Sequence, residues 1–237
     1  MRISLCVPMY NESSIIASTA RELDKYMSEH FGNDYEIIFA DDGSRDGSAD
    51  IVNSLALPNV RVEGYEKNAG KGCAVRQGVL ATRGDVVLFT DADLAYGVDL
   101  IEDAVRILEG GTHDVLVASR AKHKQGYEGY TFIRKLASKT YIKVLNIFGG
   151  IKISDAQCGF KGFKGDVGRK IFSLCKTNNF AFDLEVIMIA QKMKLKIFEM
   201  PAKIINHRES KVNVIKDAIR MLKEISKIKK RLKNIEF

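Results

Sequence analysis

Short apolar runs alternate with segments of helical spacing through the first half of the chain. The apolar runs predict β-strands at 3–7, 35–40, 60–63, 85–90 and 114–119. Helical spacing predicts α-helices at 12–26, 48–55 and 71–82, between these strands. Strands separated by helices of this length are typical of βαβ units. The pattern therefore predicts an α/β fold with a mostly parallel central sheet flanked by helices.

The second half of the chain has a less regular pattern. Helices are predicted at 133–148, ending at Gly149-Gly150, and at 182–193. Residues 155–165 are rich in glycine and lysine, and no strand is predicted there. Near the C-terminus six apolar residues recur on one helical face among many Lys and Arg: Ile215, Ile219, Leu222, Ile225, Ile228 and Leu232. We divide the chain into a domain at 1–210 and a basic amphipathic helix at 211–237.

The length and composition favour one globular domain. The chain has 237 residues, of which 46% are hydrophobic and 28% charged, so disorder and collagen-like repeats are excluded. No stretch approaches the roughly 18 apolar residues of a membrane-spanning helix, and Met1 leads directly into a strand pattern, so we expect a cytoplasmic protein. The four cysteines are scattered without a C-x-x-C pair, which predicts reduced core thiols.

The net charge of +7 is unevenly distributed. The segments 120–143 and 211–237 each carry a net charge of +6, so the rest of the chain sums to −5. A mildly acidic body with two basic segments is compatible with nucleic acid, anionic lipid or a phosphorylated substrate. Composition leaves these three partners open.

Acidic and polar clusters follow three of the predicted strands. Residues 8–12 follow the first strand, Asp41-Asp42-Gly43-Ser44 the second, and Asp91-Ala92-Asp93 the strand at 85–90. Parallel sheets bind ligands at the carboxyl ends of their strands. Asp91 and Asp93 are suited to one Mg²⁺ or Mn²⁺ that also bridges phosphate oxygens, although a turn or helix cap can use the same residues.

The cluster at Asp41 and Asp42 has two compatible interpretations. Ser48 or Asp46 caps the next helix, while Asp41 and Asp42 face a nucleoside. Gly70-Lys71-Gly72 departs from the Walker A pattern, and no dinucleotide fingerprint follows the first strand. Lys71 remains a candidate phosphate ligand.

Taken in order, these motifs resemble the family 2 glycosyltransferases, and within them the polyprenol-phosphate sugar transferases. The resemblance rests on 7–12, 41–44, 68–72, 91–93, Ser119-Arg120, 154–161 and 180–185. The last two motifs are most similar to the dolichyl-phosphate glucosyltransferase branch, and the mannosyl branch is a close second. Two positions depart from the family pattern: Ala95 stands where the mannosyl branch usually has Gln, and Arg208 replaces a Gly.

The resemblance implies a GT-A type nucleotide-binding fold, a divalent metal and inversion at the anomeric carbon. It assigns the expected roles by position. The nucleoside ligands would be Pro8, Tyr10, Glu12, Asp41 and Asp42; the metal and diphosphate ligands Asp91 and Asp93; and the acceptor-phosphate ligands Arg120, Arg134 and Ser138. Lys71 and Lys211 would lie near the diphosphate. Asp93 is the expected catalytic residue, and Asp155 a second candidate that orients groups or acts as a base.

The expected function is transfer of a hexose, glucose from UDP-glucose, to a polyprenyl or dolichyl phosphate. We expect the protein to be peripheral at the inner face of the membrane, with the basic tail helix resting on anionic lipid. Two alternatives remain. One is a family 2 transferase that uses a saccharide hydroxyl in cell-surface polysaccharide synthesis. The other is a nucleic-acid-binding module, which is disfavoured because the basic segments lack interleaved aromatic residues.

Overall fold

The computed structural model describes residues 2–128, 132–206 and 214–235. The strands are β1 (Ile3–Met9), β2 (Tyr35–Asp41), β3 (Val60–Gly64), β4 (Val86–Thr90), β5 (Val115–Ser119), β6 (Phe160–Lys164) and β7 (Ile197–Pro201). The helices are α1 (Ile16–Phe31), α2 (Ser48–Ser54), α3 (Lys71–Leu80), α4 (Leu100–Glu109), α5 (Phe132–Gly149), α6 (Gly165–Leu174), α7 (Phe182–Lys192) and α8 (Val214–Leu232).

The strands form one sheet in the order β3-β2-β1-β4-β6-β5-β7. The chain runs outward from β1 to β2 and β3 and then crosses back to place β4 on the other side of β1. This reversal leaves a crevice at the carboxyl ends of β1 and β4, which is where open α/β sheets bind ligands. The predicted mostly parallel sheet is confirmed.

Strand β6 is antiparallel to both of its neighbours and was not predicted from the sequence. Its central residue is Gly162, where a Cβ would lie 2.7 Å from Leu88 Cδ2 and 2.9 Å from Leu108 Cδ1. The strand also contains Lys161, which is fully buried. Because a glycine and a lysine occupy core positions, the segment lacks the run of apolar residues from which a buried strand is predicted. Because β6 is antiparallel to β4 and β5, the chain leaves the sheet at the end of β5 and re-enters it at the start of β6 on the same carboxyl edge.

Two apolar cores cover the two faces of the sheet. Helices α1, α2 and α4 cover one face, and α3, α6, α7 and α8 cover the other. All four cysteines are buried and free, as expected. Burial raises the pKa of the Cys6 thiol to about 12. No described helix is both long and apolar enough to span a bilayer.

The C-terminal helix α8 is amphipathic, as predicted, but its described apolar face is covered by the domain itself. Met221, Ile225, Ile228 and Leu232 are all at least nine-tenths buried in the core shared with α7. An apolar face that is already buried cannot also enter a lipid interface. The expectation that this face rests on lipid is therefore wrong for residues 221–232, whereas the side chains of Ile215 and Ile219 lie outside the described residues.

We expect Gly78→Ala to destabilise the protein by about 1–3 kcal/mol, because the residue lies where α3 packs directly on the sheet. A Cβ there would lie 2.9 Å from Ala40 Cβ and closer still to Cys6 Sγ. Urea unfolding measures the loss. Gly110→Ala is the control, since its Cβ would meet nothing nearer than 3.4 Å. Equal stability of the two variants would contradict this packing.

Candidate active site

The loops at the carboxyl ends of β1, β2 and β4 enclose one open cavity of about 470 Å³. Its lining includes seven residues singled out from the sequence: Pro8, Tyr10, Glu12, Asp42, Lys71, Asp91 and Asp93. Asn68 and Phe180 also line it and were not singled out as individual site residues. We call this space the donor cavity. The topology thus brings motifs that are far apart in the sequence to one place.

Asp42 is only 4% exposed, and both of its oxygens are used by the chain. One oxygen accepts hydrogen bonds from the Tyr65 hydroxyl at 2.6 Å and the backbone N–H groups of Ala69 and Gly70 at 2.8 and 2.9 Å. The other accepts from Asn68 Nδ2 at 2.9 Å. Asp42 therefore fastens the turn before α3 at the rim of the donor cavity.

Asp41 is 7% exposed and accepts hydrogen bonds from the backbone N–H and hydroxyl of Ser44. Ser48 does not cap its helix with its side chain; instead its hydroxyl accepts from the Glu12 N–H at 2.9 Å. Asp46 accepts from the Ser13 N–H at 2.9 Å and the Ser48 N–H at 3.1 Å. These bonds join the loops after β1 and β2, and α1 begins after them at Ile16, not at residue 12 as predicted.

Lys71 and Asp91 form an ion pair across the donor cavity. The Lys71 ammonium lies 2.5 Å from Asp91 Oδ1, and the two side chains are 23% and 27% exposed. Burial disfavours the charged ammonium, but Asp91 and Asp183 outweigh it and raise the pKa of Lys71. Asp91 also lies against Gly159, where a Cβ would collide with its carboxylate. Asp91 is thus fixed from two sides.

A second ion pair lies behind the first and was not found from the sequence. Lys161 is fully buried and donates to Asp183 at 2.5 Å and to the Cys158 carbonyl at 2.8 Å. Its ammonium also lies 5.2 Å from the centre of the Phe89 ring. Burial raises the pKa of Asp183, although Lys161 and Lys71 oppose that shift. Both residues fall within the motifs that carry the family resemblance, but their pairing could not be read from them.

Arg120, directly after the carboxyl end of β5, and Asp155 bind each other. Arg120 donates to both carboxylate oxygens of the fully buried Asp155, at 2.7 and 2.9 Å. Burial works against the guanidinium charge, and Asp155 overcomes it, so the pKa of Arg120 lies well above its ordinary value. Next to them, Ser154 bonds to the Ser119 hydroxyl at 2.7 Å and to Glu199.

An open groove of about 650 Å³ begins next to Asp155 and runs along α5. Its lining combines apolar and cationic residues: Ala121, Tyr127, Ile142, Lys143, Asn146, Ile147, Gly150, Ile151, Lys152 and Ser154. We call it the α5 groove. Arg134 and Ser138 belong to α5, but their side chains lie outside the described residues, as does the whole of Lys211. Their expected roles therefore stay predictions.

Asp91 and Asp93 fit an oxygen-ligated divalent cation. Both carboxylates line the donor cavity, and Asp93 accepts the Ala95 N–H at 3.1 Å. Carboxylate oxygens are the ligands that Mg²⁺ and Mn²⁺ prefer. Among the described residues, no group of three or more His, Cys, Asp or Glu side chains gathers at one point. The two aspartates therefore fit a metal that takes further ligands from a bound diphosphate and water.

The doubly wound sheet and the paired aspartates at its switch point define a GT-A type nucleotide-binding fold. Solved structures agree on the fold. Glucosyl-3-phosphoglycerate synthase from Mycobacterium tuberculosis, in complex with Mn²⁺, UDP and glucosyl-3-phosphoglycerate, has a TM-score of 0.69 and 19% identity. The match covers 99% of this chain and 81% of that one. Mannosyl-3-phosphoglycerate synthase from Rubrobacter xylanophilus has a TM-score of 0.66 at 19% identity, covering 98% and 73%.

Within that class, the chain belongs to glycosyl transferase family 2, whose model matches residues 4–172. Among its relatives is a dolichyl-phosphate beta-glucosyltransferase of Trichomonas vaginalis, 34% identical over 88% of this chain and 65% of that protein. The enzyme of the same name from Saccharomyces cerevisiae is 31% identical over 94% of this chain and 72% of its own length. The chain thus spans slightly less than two thirds of the first relative.

We expect Lys161→Met to lower the free energy of unfolding by about 3–5 kcal/mol, because it leaves Asp183 buried without its partner. The double variant Lys161→Met/Asp183→Leu removes both charges and should recover most of that loss. Urea unfolding of the two single variants and the double variant gives the coupling energy. Additive losses in the double variant would contradict a direct buried pair.

Proposed function

We propose that the protein transfers glucose from UDP-glucose to a polyprenyl phosphate of the dolichyl type. The observation that carries the proposal is the pair of aspartates in the donor cavity, in a chain whose half-apolar α5 groove is lined by Ser154, next to the Arg120–Asp155 pair. The names of the relatives support the same donor sugar and acceptor. A lipid phosphate is an acceptor with a charged head and an apolar chain, which suits such a groove.

The donor cavity supplies groups suited to a nucleoside diphosphate. Tyr10 is 44% exposed and Phe180 is 65% exposed, so both rings are available to a nucleotide or its sugar. Asp91 and Asp93 would hold the metal, which supplies Lewis-acid stabilisation of the departing diphosphate. Lys71 adds a fixed positive charge at the same place. We assign Pro8, Glu12 and Asp42 to the nucleoside end of the cavity.

The state of Asp155 favours a phosphate acceptor over a hydroxyl acceptor. A hydroxyl needs a general base to remove its proton, whereas a phosphate is already ionised near neutral pH. Asp155 is fully buried, and Arg120 binds both of its oxygens, so it is a poor base. We therefore assign Asp155 to hold Arg120, whose charge would orient the acceptor phosphate. An oxygen of the acceptor phosphate then attacks the anomeric carbon of the sugar. The bond between that carbon and the diphosphate breaks at the same time, and the configuration is inverted.

The α5 groove is our candidate for the first part of the isoprenoid chain. Tyr127, Ile142 and Ile151 are apolar groups in its lining, and Lys143 and Lys152 add positive charge. At its end, Ile147 and Phe148 are 68% and 57% exposed. Exposed apolar side chains next to lysines are typical of surfaces that rest on anionic lipid. We therefore assign membrane contact to the end of α5.

We expect Asp93→Asn to lower turnover by roughly 100-fold or more, because the substitution removes a metal ligand charge while keeping an acceptor for the Ala95 N–H. The assay supplies UDP-glucose labelled in the sugar, Mn²⁺ and polyprenyl phosphate, and counts label extracted into organic solvent. Asp50→Ala, an exposed acidic residue of α2, is the control. Near-normal turnover of Asp93→Asn at saturating Mn²⁺ would contradict the site. Label transfer only from GDP-mannose would contradict the donor.

We expect the double variant Ile147→Ser/Phe148→Ser to bind anionic vesicles at least about tenfold more weakly, because each side chain contributes about 1.5–3 kcal/mol when buried in lipid. Flotation with vesicles that contain an anionic phospholipid measures the bound fraction. Leu80→Ser is the control, since Leu80 is 41% exposed at the opposite edge of the sheet. Equal flotation of both variants and the wild type, or flotation of none, would refute contact through α5.

A further inference from the structure

The loop at residues 176–180, between α6 and α7, closes directly on the turn that carries Lys71. The Gly72 N–H donates to the Asn178 carbonyl at 2.7 Å, and the Cys73 N–H donates to the same oxygen at 3.3 Å. A Cβ on Gly70 would lie 2.5 Å from the Asn178 oxygen, and one on Gly72 would lie 2.5 Å from the Thr177 oxygen. Backbone thus packs on backbone, and the position of the loop determines where α3 begins.

The same loop contributes directly to the donor cavity. Phe180 lines the cavity, and its ring centre lies 5.9 Å from the Lys71 ammonium. Displacement of the loop would therefore move both an exposed ring and the cation that pairs with Asp91. The shape of the donor cavity therefore depends on the contacts that hold this loop in place.

Helix α8 holds this loop through two polar contacts. Arg231 donates to Glu185 and, at 3.2 Å, to the Thr177 hydroxyl. Glu185 is fully buried, and its other oxygen accepts the backbone N–H groups of Lys176 and Thr177 at 3.0 and 2.7 Å. About two turns earlier in α8, hydrogen bonds from Lys227 and from Asn179 of the loop lower the pKa of Glu224. Helix α8 is thus tied to the loop backbone at residues 176 and 177 through Glu185, and to the loop side chain of Asn179.

We propose that Arg231 and Glu224 are positioning residues for the nucleotide-sugar donor, and that α8 is part of the donor-binding machinery and not a separate appendage. The effect passes from α8 to the 176–180 loop, and from the loop to the Gly70–Gly72 turn and Phe180. The proposal rests on the proposed function, because it takes a nucleotide sugar as the ligand. Buried charge-assisted hydrogen bonds hold a loop more firmly than exposed ones. The contacts of Arg231 therefore have a large effect on the position of the 176–180 loop.

Hydrogen exchange and UDP titration test the proposal on the full chain. We expect Arg231→Met to speed exchange of the Gly72 and Cys73 amides about tenfold and to weaken UDP binding with Mn²⁺ about tenfold. Lys230→Met, which removes the same charge from an exposed neighbour, should change neither. Ile228→Val weakens the packing of α8 without touching these contacts, so it should lower stability and leave UDP affinity unchanged. Arg231→Lys should restore part of the affinity.

A second pair of variants covers the case in which Arg231→Met does not fold. Glu224→Ala removes the contact with Asn179, whereas Lys227→Met removes only the 2.8 Å ion pair between Lys227 and Glu224. The proposal expects faster exchange and weaker UDP binding for Glu224→Ala alone. Wild-type exchange and affinity in Glu224→Ala, or in a folded Arg231→Met, would overturn it. Failure of the wild type to bind UDP would instead contradict the proposed function, and exchange would still decide whether α8 positions the turn.

Discussion

The ion pair between Lys71 and Asp91 is the interaction on which the donor cavity depends. Three carboxylates, Asp91, Asp93 and Asp183, act electrostatically on Lys71. Like charges so close together in a partly buried site repel one another strongly. Lys71 and the buried Lys161 offset two of these charges and leave one net negative charge. A site with this balance attracts a divalent cation without being so acidic that it distorts the fold.

The position of Lys71 is set by sterics more than by charge. Glycines stand on both sides of it because the carbonyls of Thr177 and Asn178 approach too closely for any Cβ. Gly70 also has a φ of +104°, in the region that favours glycine. The Gly-Lys-Gly motif, which suggested a phosphate loop in the sequence, is therefore also a packing motif. The backbone contact places the Lys71 ammonium at the end of β4, where it forms the ion pair with Asp91.

The sequence predicted the elements up to β5 other than α4, and the convergence of three acidic loops, because apolar periodicity and strand-end chemistry are local properties. It did not predict β6, since Lys161 and Gly162 occupy core positions. It also could not separate acids that hold the scaffold from acids that face a ligand. Asp42 and Asp91 follow β2 and β4, on either side of β1, yet Asp42 bonds the turn before α3 and Asp91 pairs with Lys71 across the cavity. Such partners lie 20 or more residues away in the chain.

Some of the charges that make the protein basic are paired inside it and do not lie free on its surface. Arg120 and Arg231 belong to the two basic segments, yet each is paired with a fully buried carboxylate, Asp155 or Glu185. Arg120 binds both oxygens of Asp155, so its guanidinium is already oriented when an anion arrives. Its remaining donors can face a phosphate at little cost in ordering. An acceptor that is already ionised needs no general base, so a preorganised positive charge that orients it is sufficient.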